Sequence, residues 1–413
     1  MRILVLSALL SCAFAAEWRQ FRGPNGSGVS AEKGLPVAFG AAENMLWKTA
    51  LPPGYSSPVV SRDRVFVTAQ EGLALFTICL DRATGKVLWR RESPKPLPEK
   101  PKGPNSPVSP SPVTDGANVY VLFDVFGLIS YGPDGEERWR MPLAPFNTPY
   151  GFGSSPVLEG STLLLLADQD AGSYILAADK DTGKVLWRRP RPEATHGFPS
   201  PVIYRPAQGP VQVIVSGAFQ LASYSLQSGE KLWWVNGMGW QAKSLPVIGD
   251  GIIFVHSWMA SMAELGSQPA PPFPELLSKH DADKDGKLSR EETPDPEIKK
   301  LWMLFDLDKD NYLTEYDWNF HRARHAAQNG LYAIRPGGKG DLTATNILWR
   351  YDKSLPNIPS PLLYNGVLFV LKEGGILTSL DPASGKVLKQ GRVRAPSELT
   401  SPRRSPPTES STW

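Results

Sequence analysis

Short apolar runs recur along the chain, and each one follows a proline joined to an aliphatic residue. The intervals between four successive prolines are 44, 45 and 45 residues (112 to 156, 156 to 201 and 201 to 246). A period of this length, with about four short strands per unit, is typical of a β-propeller blade. The pattern therefore predicts an all-β fold, a β-propeller with four-stranded blades, of which six are recognisable. The six dipeptides are Pro58-Val59, Pro112-Val113, Pro156-Val157, Pro201-Val202, Pro246-Val247 and Pro361-Leu362.

A polar turn and a tryptophan strand close most of these units. Glycine in the turn sets a tight connection between the two outer strands, and the tryptophan is predicted to fill the gap between neighbouring blades. The sixth unit has Lys389 where the others have tryptophan. Residues 44–47, ending in Trp47, are expected to serve as the outer strand of the last blade. The closing stretches are Asp81–Trp89, Asp134–Trp139, Asp179–Trp187, Ser228–Trp233 and Asp381–Lys389.

One interval is much longer than the others. Pro246 and Pro361 are 115 residues apart (361 minus 246), and the fifth unit breaks after Ile252–Trp258 and resumes at Gly330–Ile334. We therefore divide the mature chain into a propeller part at 16–258, an insertion at 259–328 and the rest of the propeller at 329–393. The insertion separates the second and third strands of blade five, a loop position where extra residues cost little stability. That loop lies on the face that carries the connections between blades.

The insertion contains an acidic loop with the spacing of a cation site. Oxygen side chains occupy positions 1, 3, 5, 9 and 12, with Gly286 at position 6 and a backbone carbonyl at position 7. A hard cation with six to eight oxygen ligands requires this arrangement. The predicted ligands are Asp281, Asp283, Asp285, the Lys287 carbonyl, Ser289 and Glu292.

A second loop keeps the pattern with two departures. Asn311 replaces glycine at position 6, which is tolerable because asparagine visits left-handed conformations, and an aspartate replaces glutamate at position 12. We expect the second site to be weaker and more tolerant of magnesium. Two solvated acidic turns are the alternative. The predicted ligands are Asp306, Asp308, Asp310, the Tyr312 carbonyl, Thr314 and Asp317.

Both loops resemble EF-hands, a resemblance that implies calcium as the bound ion. Leu288 and Leu313 at position 8 are expected to join the loops through a short strand pair. Asp295 as N-cap, with proline at the first helical position, predicts one shared helix over Pro296–Phe305. A second helix is predicted over Tyr316–Gln328.

Composition and charge bear on location and partners. Residues 1–15 read as a secretory signal peptide cut after Ala15, with lipid attachment at Cys12 as the alternative. No other run is long enough to cross a membrane, so a periplasmic or secreted protein is expected. Cleavage leaves Cys79 as the single cysteine, which excludes an internal disulfide. A net charge of +3 gives no case for nucleic acid.

The chain also resembles secreted bacterial proteins whose propeller repeats are like those of pyrroloquinoline-quinone (PQQ) dehydrogenases. The resemblance rests on the opening stretch Trp18–Gly26, on the Asp-x-x-Thr-Gly-Lys-x-Leu-Trp units and on inserted EF-hands. It implies an eight-bladed ring. Residues 394–413 hold Leu399 as their only large aliphatic residue. We therefore expect an aberrant or disordered tail there, from a truncated or frameshifted C-terminus that leaves the ring open.

Activity is less clearly indicated than fold. The quinone-binding dehydrogenases need a vicinal disulfide and a central calcium cluster, so PQQ is not expected in a chain with one mature cysteine. We predict a non-catalytic calcium-binding scaffold with an unidentified protein or small ligand at the propeller face. The alternatives are a PQQ-type dehydrogenase of alcohols or sugars and an inactive pseudogene product.

Other candidate residues carry weaker signals. Asp168-Gln-Asp170 is interpreted as a turn, with a place facing the funnel as the alternative. His321 and His325 are one helical turn apart, but the arginines around them favour a solvated face over a shared metal. His196 and His256 are isolated in sequence, and the basic stretch 188–191 is interpreted as a surface loop.

Overall fold

The computed structural model describes residues 16–95, 104–259 and 270–393. Within them the chain forms six antiparallel meanders of four strands, one of which gains a fifth, parallel strand, and these are the blades of a β-propeller. The predicted signal peptide, Cys12 and the C-terminal tail lie outside the described residues. No helix in the described ranges is long and apolar enough to cross a membrane.

Each of the first three blades is a simple meander in which consecutive strands pair. Blade one contains β1 (Val59–Val60), β2 (Arg64–Glu71), β3 (Ala74–Asp81) and β4 (Val87–Glu92). Blade two contains β5 (Val113–Thr114), β6 (Val119–Phe123), β7 (Gly127–Tyr131) and β8 (Glu137–Pro142). Blade three contains β9 (Val157–Glu159), β10 (Thr162–Ala167), β11 (Tyr174–Asp179) and β12 (Val185–Pro190).

The insertion interrupts the second half of the chain. Blade four contains β13 (Val202–Tyr204), β14 (Gln212–Gly217), β15 (Gln220–Ser225) and β16 (Lys231–Asn236). Blade five begins with β17 (Val247–Gly249) and β18 (Ile252–Ser257). The insertion follows, with α1 (Phe273–His280), β19 (Leu288–Ser289), α2 (Pro296–Lys300), β20 (Tyr312–Leu313) and α3 (Glu315–Ala326).

Blade five then resumes and blade six follows. Blade five is completed by β21 (Gly330–Ile334) and β23 (Ile347–Tyr351). Between them β22 (Gly340–Asp341) pairs parallel with β16 of blade four. Blade six contains β24 (Leu362–Tyr364), β25 (Val367–Lys372), β26 (Ile376–Leu380) and β27 (Val387–Arg392). Between neighbouring blades lie apolar clusters, such as the one that joins Phe66 and Cys79 of blade one to Val121 of blade two.

Tryptophans join the blades as the repeat predicts. The Trp89 ring packs on Gly135 of blade two, where an added Cβ atom would lie 2.8 Å from the indole. Its Nε1 donates a 2.9 Å hydrogen bond to the Pro133 carbonyl. Only glycine fits so close an approach, and its positive φ of 79° also suits glycine. The same packing joins Trp139 to Gly183, Trp187 to Gly229 and Trp349 to Gly385.

Two tryptophans differ from the expectation. Trp47 packs on Gly85 of blade one and donates to the Arg82 carbonyl over 2.8 Å. Residues 44–47 form no strand with any described sheet, so their predicted outer strand is absent from the structure. Trp233 is fully buried and donates instead to Gln212 Oε1 over 3.0 Å. The reason is that blade five lacks the glycine turn and has β22 in its place.

The opening stretch ties several blades together near the propeller axis. Trp18 pairs with Val60 of blade one, and the Arg19 carbonyl accepts from Thr114 of blade two over 2.9 Å. Asn25 bonds to both backbone groups of Ile203 in blade four over 2.7 and 2.8 Å. Arg22 Nη2 donates to the Pro361 carbonyl, ahead of blade six, over 2.9 Å.

Candidate metal centre

Three carboxylates of the first acidic loop converge on one point. Asp281, Asp283 and Asp285 each offer an oxygen within 4.8 Å of the other two. Gly286, at a φ of 83°, makes the sharp turn, and its N–H donates to Asp281 Oδ2 over 3.1 Å. Lys284 also has a positive φ, 60°. The backbone therefore holds the three oxygens together through turns inside the loop.

Glu292 folds back to close this loop. Its Oε1 accepts from the Ala282 N–H over 2.9 Å, and its Oε2 accepts from the Ser289 N–H and hydroxyl over 2.9 and 2.7 Å. Hydrogen bonds from the Ser289 backbone and side chain, followed by the Ala282 N–H, lower the pKa of Glu292 to about 2. The carboxylate is therefore ionised at neutral pH and joins the two ends of the loop.

The second loop follows the same backbone path. Asp306, Asp308 and Asp310 place oxygens within 4.8 Å of one another. Asn311 has a φ of 69° and donates its N–H to Asp306 Oδ2 over 3.1 Å, as Gly286 does in the first loop. Asparagine therefore performs the turn here. Burial raises the pKa of Asp306 above its usual value.

Asp317 closes the second loop from the first turn of α3. Its Oδ1 accepts from the Leu307 N–H over 3.0 Å, and its Oδ2 accepts from the Thr314 N–H and hydroxyl over 3.0 and 2.6 Å. Burial raises the pKa of Asp317. In both loops, therefore, the hydroxyl at position 9 donates to the carboxylate at position 12.

The remaining predicted ligands lie in or directly beside the strand pair that joins the loops. Leu288 pairs with Leu313 and Ser289 with Tyr312, as the sequence predicts. The Lys287 ammonium lies 3.5 Å from Asp310 Oδ2, so the two loops are also linked by charge. An apolar cluster beneath the pair holds Phe273, Leu276, Leu288, Ile298, Phe305, Leu313 and Trp318.

The helix between the loops is shorter than predicted. It ends at Lys300, and a separate 3₁₀ turn covers Trp302–Leu304 because Leu301 leaves helical geometry with φ −99° and ψ 24°. The tighter turn brings Trp302 Nε1 to 3.1 Å from Asp306 Oδ2. Likewise α3 ends at Ala326 and not at Gln328, whose N–H donates to the Gly237 carbonyl of the propeller over 2.9 Å.

Unpaired oxygens test whether the loops fit a cation. Asp281 Oδ1 and Asp306 Oδ1 hold position 1 of their loops, and both are buried atoms without a hydrogen-bond partner among the described residues. A buried carboxylate oxygen without a partner is costly. A hard cation at the centre of each trio would supply that partner, and carboxylate and carbonyl oxygens are the ligands that calcium takes. The donor set therefore fits calcium.

Among the described residues, the second loop forms hydrogen bonds to the propeller and the first loop forms none. Asn147 Nδ2, ahead of blade three, donates to the Leu307 carbonyl over 3.1 Å, and the Asn147 side-chain oxygen accepts from Lys309. The Tyr316 hydroxyl of α3 donates to the Asp170 carbonyl over 3.0 Å. The second loop thus rests on the propeller face that carries the connections between blades, called the upper face below.

A buried ion pair and a buried contact between a carboxylate and a histidine, both on the upper face, escaped the sequence analysis. Asp168 accepts from both Nε and Nη2 of Arg191 over 2.7 and 3.0 Å, and the two side chains are 0% and 2% exposed. Asp170 pairs with Nδ1 of His196, another fully buried residue. Asp168 and Asp170 lie in the connection between β10 and β11, as the predicted turn requires, but both are buried. The isolated His196 and the surface loop at Arg191 are corrected, because both residues are paired and buried. Each pair joins segments of different connections, which sequence spacing does not reveal.

The predicted solvated face of α3 is also wrong. His321 is 4% exposed and lies between the rings of Phe305 and Trp318, with centroids 5.0 and 4.8 Å away. Arg324 is 1% exposed and stacks 3.5 Å above the ring of Trp240 on the upper face. Arg322 is exposed as predicted, and His325 is half-buried. The insertion core covers His321 and the propeller covers Arg324, and the local sequence encodes neither contact.

The known proteins most relevant here are propeller proteins. The model of the family described as outer membrane protein assembly factor BamB matches residues 29–124, 76–236 and 171–265, which together span more than half of the chain. BamB from Moraxella catarrhalis is 12% identical, with 80% of this chain and 71% of that one covered and a TM-score of 0.44. No curated protein matches significantly in sequence.

A redox enzyme shares the fold as well. Quinohemoprotein alcohol dehydrogenase from Comamonas testosteroni is 13% identical, with a TM-score of 0.50 and 82% of this chain covered. The match spans only 59% of that enzyme. At this identity the likeness shows the propeller fold alone. The family match and the six blades together establish that the chain belongs to the BamB family of PQQ-like repeat β-propeller proteins.

Proposed function

We propose that the chain is an exported calcium-binding propeller protein that serves as a non-catalytic binding or assembly scaffold. The observation that carries the calcium proposal is the buried, unpaired Oδ1 of Asp281 and of Asp306, each of which belongs to one of the converging carboxylate trios. A bound ion would hold the carboxylates at positions 1, 3, 5 and 12 together and stiffen the insertion over the upper face. Sites of this kind on extracellular modules bind at about 10⁻⁴–10⁻³ M, so occupancy would be constitutive outside the cell.

Two features support the scaffold role. The family is described as an outer membrane protein assembly factor, which supports protein partners and an exported location. In addition, the insertion is docked on the upper face through both the second loop and α3. Ion binding there would fix a composite surface made by blades and insertion. A surface of this kind suits the capture of a partner.

PQQ does not fit the residues present. Dehydrogenases that hold the quinone with a vicinal disulfide need two adjacent cysteines, and the two cysteines of this sequence are far apart. Cys79 is fully buried in β3, inside the cluster between blades one and two. Burial raises the pKa of its thiol to about 11. We therefore expect added PQQ to give neither a bound absorbance band nor dye reduction with alcohols.

Calcium titration of the mature full-length chain tests the proposal. We expect calorimetry to show two binding events and calcium to raise the melting temperature. Asp281→Ala combined with Glu292→Ala should weaken the first event at least ~100-fold, since even outer-shell changes commonly cost 10–100-fold. Glu291→Ala is the matched control, because it removes a carboxylate from the same loop at a position that is not a ligand. A chain that ignores calcium in both measurements would refute the proposal.

A further inference from the structure

A cleft lies between α3 and the upper face of blades three and four. Its volume is about 340 Å³, which lies within the range of small-molecule sites. One wall comes from α3 and the other from the ends of β14 to β16 and the connection before blade four. The lining residues are mainly apolar, with amides and one carboxylate at the edges. The apolar ones are Pro192, Ala218, Phe219, Tyr316, Phe320 and Ala323.

Phe219 occupies the cleft in an unfavourable backbone conformation. It has a φ of 60° in the two-residue turn between β14 and β15, where glycine or asparagine is the usual choice. A bulky residue at positive φ is a genuine outlier. Two backbone bonds of 3.1 Å hold it, from its own N–H to Gly239 and from the Met238 N–H to its carbonyl. Its ring lies 6.0 Å from that of Phe320 on α3.

An unused hydrogen-bond acceptor lies in the same wall. Gln220 Nε2 donates to Asn236 Oδ1 over 2.7 Å, but Gln220 Oε1 has no partner among the described residues although the atom is buried. Glu193, at the edge, already accepts from Lys231. A strained aromatic residue beside an unpaired acceptor is an arrangement that a ligand would complete, since such strain concentrates at functional sites.

We propose that this cleft binds an indole-type group, a flat aromatic ring that carries an N–H donor. The ring packs against Phe219 and Phe320 in the offset or tilted geometry that aromatic pairs prefer, and its N–H donates to Gln220 Oε1. A free indole derivative and a tryptophan side chain of a partner polypeptide share this chemistry. The site deepens the proposed function, because it gives the scaffold a defined binding group.

The cleft is linked to the second acidic loop through α3. Position 12 of that loop, Asp317, lies in the first turn of the helix, and Tyr316 and Phe320 on the same helix line the cleft. A calcium ion in the second loop therefore fixes the wall that receives the ligand. Linkage is reciprocal, so the ligand should also tighten calcium at this loop. No cleft-lining residue belongs to the first loop, which should be uncoupled.

Ligand-observed NMR on the full-length protein with saturating calcium tests the site. The probes are indole, 1-methylindole, which lacks the donor, and N-acetyl-tryptophanamide, which stands for a peptide-borne ring. Indole should bind about fivefold more tightly than 1-methylindole, the value of one net hydrogen bond. Binding of N-acetyl-tryptophanamide at least as tight as that of indole assigns a polypeptide source, and binding of indole alone assigns a free ligand.

Two substitutions on α3 make a matched pair. Ala323→Phe fills the cleft and should abolish probe binding, whereas Ala326→Phe lies on the exposed side of the same helix and should leave binding unchanged. Phe219→Gly places a residue that adopts positive φ without strain at this turn, so the variant should fold. Because it lacks the aromatic ring, it should bind the indole probe at least about tenfold more weakly. Probe binding that survives both Ala323→Phe and Phe219→Gly would overturn the proposal.

Calcium measurements separate this proposal from the proposed function. Asp308→Ala in the second loop should weaken probe binding, and Asp283→Ala in the first should not. If calcium binds but no probe does, the cleft proposal fails and the calcium scaffold stands. If the probe binds and Ala323→Phe blocks it in a chain that ignores calcium, the cleft stands and the calcium proposal fails.

Discussion

The two acidic loops share one backbone path but differ in their surroundings. Asp306, which opens the second loop, is 4% exposed, whereas Asp281 in the first is half-buried. Glu292 closes the first loop with a lowered pKa, while burial raises the pKa of Asp317 in the second. The second loop also bonds to Asn147 of the propeller.

This difference in packing indicates that ions bound in the two loops would have different roles. A half-exposed loop whose ends are joined by an ionised glutamate suits a self-contained structural ion. A loop whose two ends are buried and which bonds to the propeller would transmit its state to the surface it touches, because whatever orders the loop also orders its contacts. Two loops with equal ligand patterns therefore need not have equal roles, since the packing around each loop decides which part of the protein a bound ion would be coupled to.

Lowering the pH should first destabilise α3, the helix that carries the last ligand position of the second loop. Burial lowers the pKa of His321 on α3 to about 3, whereas an unfolded histidine titrates near about 6.5. The stability that neutral His321 contributes is complete above pH 6.5 and is lost as the pH falls towards 3. Between pH 7 and pH 5 the local opening free energy of α3 should fall by about 2 kcal/mol, as measured by amide hydrogen exchange.

Two substitutions control this measurement. His321→Phe keeps an aromatic ring between Phe305 and Trp318 but cannot take up a proton, so its α3 should lose much less stability in the same pH range. His280→Phe, at the end of α1 beside the first loop, should leave the pH response of α3 unchanged. An identical pH response in wild type and His321→Phe would show that another group is responsible.

Removing the amide that joins the second loop to the propeller should weaken calcium at that loop alone. Asn147→Ala deletes the donor to the Leu307 carbonyl and the acceptor for Lys309. Replacing an outer-shell partner of a metal site commonly lowers metal affinity 10–100-fold, and we expect about a tenfold loss here. Calorimetry in an Asp281→Ala background, where the first loop is silenced, reads the second loop directly. An equal loss at both loops would contradict the division between them.

The ion pair between Lys287 and Asp310, which links the two loops, should have the smallest effect on calcium affinity. The Lys287 ammonium and the Asp310 carboxylate are 42% and 35% exposed, and exposed ion pairs contribute about 0–1 kcal/mol. Lys287→Ala also removes a positive charge beside a cation site, so calcium at the second loop should bind about twofold more tightly at low salt. The difference should vanish at high salt. Calcium binding weakened more than tenfold by this substitution would make the pair a structural requirement.

The fold followed closely from the repeat because each blade carries its own local signals. Trp89 and Gly135 are 46 residues apart (135 minus 89), yet the repeat predicts their contact, since every unit presents the same ring to the same turn. Trp233 breaks the rule because its neighbour lacks that turn, a defect visible in the sequence of blade five. The signal for the candidate cation loops is equally local, since twelve consecutive residues contain all the predicted ligands of each loop.

Contacts between loops of different blades were not predictable in the same way. Asp170 and His196 lie in separate connections, and nothing in either segment states that the connections meet on one face. Arg324 and His321 look solvated in their own helix, and only its docking on Trp240 and the insertion core buries them. Sequence patterns thus report the period of an element but not the partner that covers it.

The contacts of Arg22 bear on the order in which the protein assembles. Its hydrogen bond to the Pro361 carbonyl joins positions 339 residues apart, whereas Trp18 and Arg19 contact blades one and two. The opening stretch can contact blades one and two as soon as they fold, but Arg22 can bond to Pro361 only after the chain up to blade six has been made. Contacts of such long sequence separation carry the largest loop-closure cost, so we expect the bond between Arg22 and Pro361 to form after the contacts with blades one and two.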